Sequence, residues 1–363
     1  MIQHAPPAPA TPHLHRALHR ERIVSTWLFA MCAMVFAMVV LGGLTRLTHS
    51  GLSMVNWEPV TGWLPPMTPQ EWHAAFAGYQ LTPEYREINA GMTVDEFKGI
   101  FWLEFIHRLV GRSIGVAFLL PFVFFLMRGW INRRSIPVFT GFFILGGLQG
   151  VLGWYMVKSG LVDEPDVSQY RLAAHLGLAV VIYAAMFRYA LRLRHGYEAV
   201  RPVLADKMAT TRRGVLMIVA LIFVTLVSGG FVAGLNAGMI YNTFPLMDGR
   251  LIPHGLYGDS PAILSAFDDH MTVQFNHRVL AVFTVCCVII FWLLSMNSNL
   301  TPRQRSAYNI LVLAGLGQVA LGISTLLLVV PVALAALHQA GAVIFLSAAL
   351  FTLHTLEWNR NTS

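Results

Sequence analysis

Eight long apolar stretches alternate with polar segments along the chain. They cover residues 24–44, 100–127, 137–157, 172–191, 214–235, 271–295, 308–329 and 333–354. Each stretch is close to the ~20 residues that an α-helix needs to cross the apolar core of a bilayer. The pattern therefore predicts an all-α membrane protein with eight transmembrane helices.

Positive charges are unevenly distributed among the connecting segments. The N-terminal tail and the even-numbered connections carry most of the 25 Lys and Arg residues, whereas the odd-numbered connections carry most of the acids. Because Lys and Arg accumulate on the cytoplasmic side of membrane proteins, we expect both termini to be cytoplasmic. The net charge of +7 follows from this topology and from contact with the lipid bilayer, so nucleic acid is not an expected partner.

The composition agrees with a membrane protein. Hydrophobic residues make up 56% of the 363 residues and charged residues only 12%, which is about half the charged share of an ordinary globular chain. This excludes a water-soluble enzyme and a disordered chain. The three cysteines, Cys32, Cys286 and Cys287, all lie in apolar stretches, so no disulfide framework is expected.

The two halves of the chain repeat one another. At a constant offset of 187, the first half matches the second as Gly42, Gly43, Gly51, Gly62 and Pro66 against Gly229, Gly230, Gly238, Gly249 and Pro253. Further matches join Phe105, His107, Arg108, Gln149 and His175 to Phe275, His277, Arg278, Gln318 and His338. Because each repeat holds four helices, an even number, both halves have the same orientation in the membrane.

This duplication predicts two tandem parallel four-helix bundles. The expected division of the chain is a cytoplasmic tail at 1–22, an N-terminal repeat at 23–195, a cytoplasmic linker at 196–213, a C-terminal repeat at 214–356 and a second tail at 357–363.

Four of the 14 histidines lie inside apolar stretches at matched places in the two repeats: His107, His175, His277 and His338. Counting ~1.5 Å of helix per residue from the external ends places them at similar depths in the outer leaflet. Two imidazoles on facing helices of a bundle are typical axial ligands of haem iron. The pattern predicts one haem in each half, ligated by the two histidines of that half.

Two other interpretations of these histidines remain open. A single histidine in a membrane helix often only forms a hydrogen bond to a neighbouring helix. A zinc site is the second alternative, but it would need further Cys, Asp or His ligands within a turn of these positions, and the sequence has none there.

Arg108 and Arg278 directly follow two of the four histidines. A guanidinium at this depth is costly unless an anion pairs with it, and we expect haem propionates to be that anion. For Arg108 the alternatives are an ion pair with Glu104 or a side chain directed toward the interface. The partner of Arg112 is left open.

Glu104 makes the two halves chemically different. It stands one helical turn before His107, so both side chains point into the same bundle, and its counterpart in the second repeat is Gln274. A carboxylate at this depth can exchange protons, whereas an amide cannot. We therefore expect the reaction site in the N-terminal half, with Glu104 as the catalytic residue. The alternative is that Glu104 only neutralises Arg108.

The first external loop, from Thr45 to Lys98, is too long for a simple connector. It carries Trp57, Trp63 and Trp72. Two interpretations are open: the loop covers a hydrophobic substrate in the N-terminal half, or it anchors the protein at the membrane interface.

Several of these features together resemble one known family. The segment from Glu104 to Arg108 is similar to the Glu-x-x-His-Arg signature of haem A synthases. The stretches TRLTHSGLSMVNWEPVTGWLPP and AGLNAGMIYNTFPLMDGRLIP resemble the two external segments of that family. The duplicated eight-helix frame extends the resemblance over nearly the whole chain. Some bacterial members carry a cysteine pair in the first external loop, and this chain resembles the subgroup without it.

The resemblance implies conversion of haem O to haem A, by oxidation of a ring methyl group to a formyl group, for terminal oxidases. It implies that His107 and His175 hold the substrate haem O, that His277 and His338 hold a haem b cofactor, and that Glu104 is essential. It also implies a multi-pass protein of the bacterial cytoplasmic (inner) membrane. The expected partners are a haem O synthase as the source of substrate, an unidentified electron-transfer protein and further copies of the chain.

Two functions of other classes remain alternatives. A di-haem b electron-transfer protein would need the same four histidines but would tolerate replacement of Glu104. A haem transporter or chaperone would bind haem and release it unchanged. Neither alternative explains why the residue equivalent to Glu104 in the second repeat is Gln274.

Overall fold

The computed structural model describes residues 12–56, 62–160, 167–195, 205–258 and 261–357. Within these ranges, eight helices are long and apolar enough to cross a membrane, which confirms the predicted number and the all-α class. The predicted tails and linker lie partly outside the described residues, at 1–11, 196–204 and 358–363, as does Trp57 of the first external loop.

Eleven α-helices follow one another along the described chain. They are α1 (Pro12–Leu47), α2 (Pro69–Tyr79), α3 (Pro83–Glu87), α4 (Val94–Met127), α5 (Ile136–Gly160), α6 (Gln169–His195), α7 (Ala205–Gly234), α8 (Ala262–Asp268), α9 (His270–Met296), α10 (Pro302–Leu327) and α11 (Val332–Glu357). The three short helices, α2, α3 and α8, lie in the first and fifth connections, which were both assigned to the external side.

Several helices extend beyond the apolar stretches that revealed them. α1 begins at Pro12, inside the predicted tail, and α7 begins at Ala205, inside the predicted linker. The apolar pattern marks only the part of a helix that contacts lipid or core, whereas the backbone hydrogen bonds continue into polar turns. Capping residues define the true ends. For example, α4 begins at a capping box in which Thr93 and Glu96 satisfy each other's backbone N–H groups.

The helices of the two halves make corresponding contacts. In the first half α1 packs against α4 and α6, and α5 packs against α4 and α6. In the second half α7 packs against α9 and α11, and α10 packs against α9 and α11. The halves meet where α6 contacts α7, α1 contacts α11, and α6 contacts α11. Exchanging α1, α4, α5 and α6 with α7, α9, α10 and α11 therefore maps this set of contacts onto itself. The cytoplasmic position of both termini stays a prediction.

One apolar core extends across both halves. Its buried members include Val35 of α1, Val180 of α6, Ile218 of α7 and Leu346 of α11. The two repeats are thus packed directly against one another.

The segment predicted as the first external loop is folded onto the N-terminal end of α4. Phe76 and Tyr79 of α2 pack against Phe97 and Phe101 of α4 in a separate aromatic cluster. Burial in this cluster raises the pKa of Tyr79, so its hydroxyl stays neutral and accepts a hydrogen bond from Asn89 at 2.7 Å.

Candidate functional site

The four predicted histidines occupy equivalent positions on four membrane helices. His107 lies on α4 and His175 on α6, and they correspond to His277 on α9 and His338 on α11. All four side chains are half-buried. In the first half α4 and α6 both pack against α1, and in the second half α9 and α11 both pack against α7. The two histidines of each half therefore lie on helices that share one neighbouring helix, and their role as paired haem ligands stays a prediction.

Each of the four imidazoles lies against a glycine of the neighbouring helix. A Cβ atom added to Gly42 would be 3.4 Å from Nε2 of His107, and one added to Gly229 would be 3.3 Å from Cε1 of His277. The other two contacts are tighter: 3.1 Å from Gly153 to Cε1 of His175 and 2.9 Å from Gly322 to Cε1 of His338. The matched glycines thus give each ring room beside a helix backbone.

A serine orients one histidine of the second half. Ser228 donates its hydroxyl hydrogen to the carbonyl of Thr225 at 2.7 Å, and its oxygen is also 2.7 Å from Nδ1 of His277. Because a hydroxyl has one hydrogen to donate, His277 must carry its proton on Nδ1 if both contacts are hydrogen bonds. The lone pair of Nε2 then remains available for a metal.

Two glutamines contact His175 of α6 and His338 of α11, the last membrane helix of each repeat. Gln149 donates to the backbone carbonyl of His175 at 3.0 Å, and Gln318 donates to that of His338 at 2.9 Å. Gln318 is also 3.1 Å from Nδ1 of His338. By contrast, Nδ1 of His175 is buried without a hydrogen-bond partner among the described residues.

These surroundings fit an iron porphyrin better than a zinc ion. Each half offers two imidazoles with small neighbours and, at His175, a buried nitrogen without a partner. No group of three or more His, Cys, Asp or Glu side chains converges anywhere in the described ranges, and a structural zinc site needs four such ligands. A macrocycle that supplies its own nitrogens needs only the two imidazoles.

Glu104 is buried and fully hydrogen-bonded. Its side chain is 2% exposed. One carboxylate oxygen, Oε1, accepts from Nε and Nη2 of Arg108 at 3.0 and 2.5 Å. The other, Oε2, accepts from the hydroxyl of Ser53 at 2.6 Å and from the backbone N–H of Met54 at 2.7 Å. Residues Ser53 and Met54 of the first external loop therefore contact the Glu104 carboxylate directly, and both interpretations of the loop stay predictions.

In each half, the arginine after the first histidine binds the equivalent loop segment through two backbone carbonyls. Arg108 donates to the carbonyls of Met54 and Asn56 at 2.8 and 2.9 Å. In the second half Arg278 donates to the carbonyls of Tyr241 and Thr243, the equivalents of Met54 and Asn56 at the offset of 187. This contact is therefore a scaffold common to the two repeats.

The structure answers the question of the Arg108 partner in part. Of the alternatives, the ion pair with Glu104 is present, and the propionate expected at Arg108 stays a prediction. Arg278 has a weaker local partner, the amide oxygen of Gln274 at 3.3 Å, and its Nε is buried without a hydrogen-bond partner among the described residues. It therefore has more capacity for an additional anion than Arg108 has.

Two residues of the site were missed in the sequence. Ser53 and Ser228 are serines in a chain where serine is unremarkable, and neither has a matching residue in the other repeat. The sequence does show that each serine is replaced by an apolar residue in the other repeat, because their counterparts at the offset of 187 are Ile240 and Leu41. A comparison of the repeats for differences near the matched histidines would have found both.

Comparison with known proteins gives consistent results over nearly the whole chain. The sequence model of the family COX15-CtaA, described as cytochrome oxidase assembly protein, matches residues 25–350. The chain is 51% identical to the Heme A synthase of Nitrosospira multiformis over 93% of this chain and 94% of that protein. It is 48% identical to the Heme A synthase of Paramagnetospirillum magneticum over 94% and 96% of the two chains. The matched segment includes all eight membrane helices, and the chain therefore belongs to the COX15-CtaA family of cytochrome oxidase assembly proteins.

Proposed function

We propose that this protein is a haem A synthase, a membrane-bound oxidoreductase that converts a methyl group of haem O to a formyl group. The observation that carries the proposal is the identity of about half of all residues to proteins named Heme A synthase over nearly their whole length. The asymmetry between the repeats supports it, because within the described residues only the N-terminal half carries a buried carboxylate on the same helix as one of its two histidines.

In this proposal the substrate haem O binds in the N-terminal half between His107 and His175. In the C-terminal half His277 and His338 would hold a haem b, and Arg278 would bind one of its propionates. The bound iron porphyrins supply the redox chemistry, and the protein supplies position and charge. Ser228 and Gln318 orient the two imidazoles of the haem b site through the contacts described above.

Glu104 is the residue proposed to move a proton during the oxidation. It lies one helical turn from His107, and hydrogen bonds from Arg108, Ser53 and the Met54 N–H fix the position of its carboxylate. A carboxylate held in this way can take up a proton released from the substrate. Arg108 keeps the carboxylate in place and connects it to the loop segment at Met54 and Asn56.

The remaining assignments follow from this activity. Haem O is an apolar membrane compound, and a protein with eight membrane-spanning helices can receive it directly from a haem O synthase in the same bilayer. We assign the protein to the bacterial inner membrane, with an electron-transfer protein as redox partner and further copies of the chain as candidates for an assembly.

The test is expression of the chain in cells that make haem O but no haem A, followed by extraction and mass spectrometry of the haems. We expect a haem in which one oxygen has replaced two hydrogens. In the Glu104→Gln variant, which keeps the side-chain shape but cannot accept a proton in the same way, haem A should fall at least ~100-fold while the optical spectrum of bound haem persists.

The rival functions predict other outcomes. A di-haem b electron-transfer protein would bind haem in both the parent and the variant and produce no altered haem in either. A transporter or chaperone would change the amount or the location of haem O but not its mass. Normal haem A formation by Glu104→Gln would remove Glu104 from the proposed mechanism.

A further inference from the structure

The donors of the four hydrogen bonds to Glu104 differ in whether they can also accept a hydrogen bond. An ionised carboxylate has about four acceptor positions, and here Arg108, Ser53 and Met54 fill all of them. If Glu104 accepts a proton, one of its neighbours must turn from donor to acceptor. Otherwise the new O–H group would point at another hydrogen in a buried site, which is costly.

Only one of the neighbours is able to make that change. A guanidinium has no acceptor, and a backbone N–H can only donate. The hydroxyl of Ser53 can do both, since rotation about its C–O bond redirects its hydrogen and exposes an oxygen lone pair.

Ser53 also has another place for its own hydrogen. Its oxygen is 3.1 Å from the carbonyl of Ser50 and 3.4 Å from the carbonyl of Ile100. Both carbonyls are acceptors, and Ser53 itself is only 1% exposed, so no bulk water is needed to receive the hydrogen.

The second repeat has neither of these two residues at the equivalent positions. At the position of Ser53 it has Ile240, and at that of Glu104 it has Gln274. There the glutamine amide donates to the carbonyl of Tyr241 at 3.3 Å. The arginine and its two loop carbonyls are common to both halves, whereas Glu104 and Ser53 occur together in one half only.

We infer that Ser53 is a positioning residue that allows Glu104 to take up a proton. This inference rests on the proposed function. In the resting state the Ser53 hydroxyl donates to Oε2 of Glu104. When a proton from the substrate binds to Oε2, the Ser53 hydrogen turns to the Ser50 carbonyl, and the Ser53 oxygen accepts the new Glu104 O–H. Ser53 keeps its own proton throughout, so one proton moves, from substrate to Glu104.

The experiment compares Ser53→Ala with Ser53→Thr in membranes from the cells described above, supplied with increasing amounts of haem O. For Ser53→Ala we expect kcat for haem A formation to fall roughly 10- to 100-fold with KM and the bound-haem spectrum unchanged. We also expect a larger solvent deuterium isotope effect on kcat, because proton uptake becomes slower. Ser53→Thr keeps a hydroxyl and should recover most of the activity.

Ile240→Ser is the matched control, because it alters the equivalent position of the other half, and it should leave kcat unchanged. In the Glu104→Gln background, Ser53→Ala should have no further effect. The inference is overturned if Ser53→Ala matches the parent in kcat, if Ser53→Thr is as impaired as Ser53→Ala, or if Ser53→Ala loses bound haem, which would indicate a purely structural role. If the parent chain itself forms no haem A, the proposed function fails and not this inference alone.

Discussion

The ion pair of Glu104 and Arg108 shows how this chain stabilises charge at membrane depth. A buried pair is favourable only when its remaining polar atoms are also bonded. Here loop residues 53–56 provide the missing donors and acceptors. The charge therefore holds the external loop on the bundle, and the loop in turn stabilises the charge.

Ser228 gives a prediction at the same scale. Ser228→Ala removes the acceptor for Nδ1–H of His277, and loss of such a partner typically weakens metal binding about 10- to 100-fold. We expect the haem b proposed for the C-terminal half to be retained less well on purification, as measured by haem content and electron paramagnetic resonance. Leu41→Ser, which adds a hydroxyl at the equivalent position of the first half, is the matched variant and should not weaken that site. Unchanged haem retention in Ser228→Ala would contradict the assignment of His277 as a ligand oriented by Ser228.

Site residues that occur at equivalent positions in both repeats could be predicted from the sequence, whereas residues present in one repeat only could not. His107 and His277, or Gln149 and Gln318, are visible because the repeat preserves them. Ser53 belongs to the site because it contacts Glu104, which lies 51 positions further along the chain. No local sequence pattern predicts such a contact. The ion pair between Glu104 and Arg108 was an open alternative because both a propionate and a carboxylate satisfy a guanidinium.

Among the elements, the membrane helices were predictable and the external helices were not. Apolar length identifies a helix that crosses a bilayer, but α2 and α3 are short, and α3 has only five residues. The available signal was chemical: Thr68 and Glu71 form a capping box at the start of α2. The backbone N–H groups of Met67 and Thr68 donate to the Glu71 carboxylate and lower its pKa, which favours its ionised form at the helix N-terminus.

The glycines that face the histidines give a prediction for α10. In Gly322→Ala the new Cβ would lie 2.9 Å from Cε1 of His338, closer than atoms can approach without a shift. The ring must move, and we expect loss of the haem b proposed for the C-terminal half. Gly317→Ala on the same helix meets nothing within 4 Å, and it should retain haem and gain up to about 1 kcal/mol from helix propensity. Haem content and thermal unfolding measured side by side check both. Equal haem retention in the two variants would show that His338 is not confined by Gly322.

At the scale of the whole molecule, the two halves are joined by an arginine side chain and by close backbone packing at one end of α1, α6 and α7. Arg46 of α1 donates to the carbonyl of Gly234 at 3.1 Å, and Gly234 lies against the backbone of Gln169 at the start of α6. The two repeats are therefore joined by α1, α6 and α7 directly above their shared apolar core.

Gly234→Ala should loosen this junction. Its Cβ would be 2.6 Å from Cα of Gln169, and a backbone atom cannot move aside as easily as a flexible side chain. We expect a loss of about 1–3 kcal/mol, seen as a lower unfolding temperature in detergent. Gly141→Ala, with nothing within 4 Å, is the control. A Gly234→Ala variant as stable as this control would mean that the halves separate or adjust at no cost.

The contacts between the halves are those of an isologous interface, in which the same surface serves on both sides. An ancestor of half this length would have formed that interface between two identical subunits. Identical subunits must carry identical side chains, so neither could have exchanged its carboxylate for an amide without the other. A single polypeptide that holds both halves is free of that constraint, so Glu104 and Gln274 can differ within one symmetric frame.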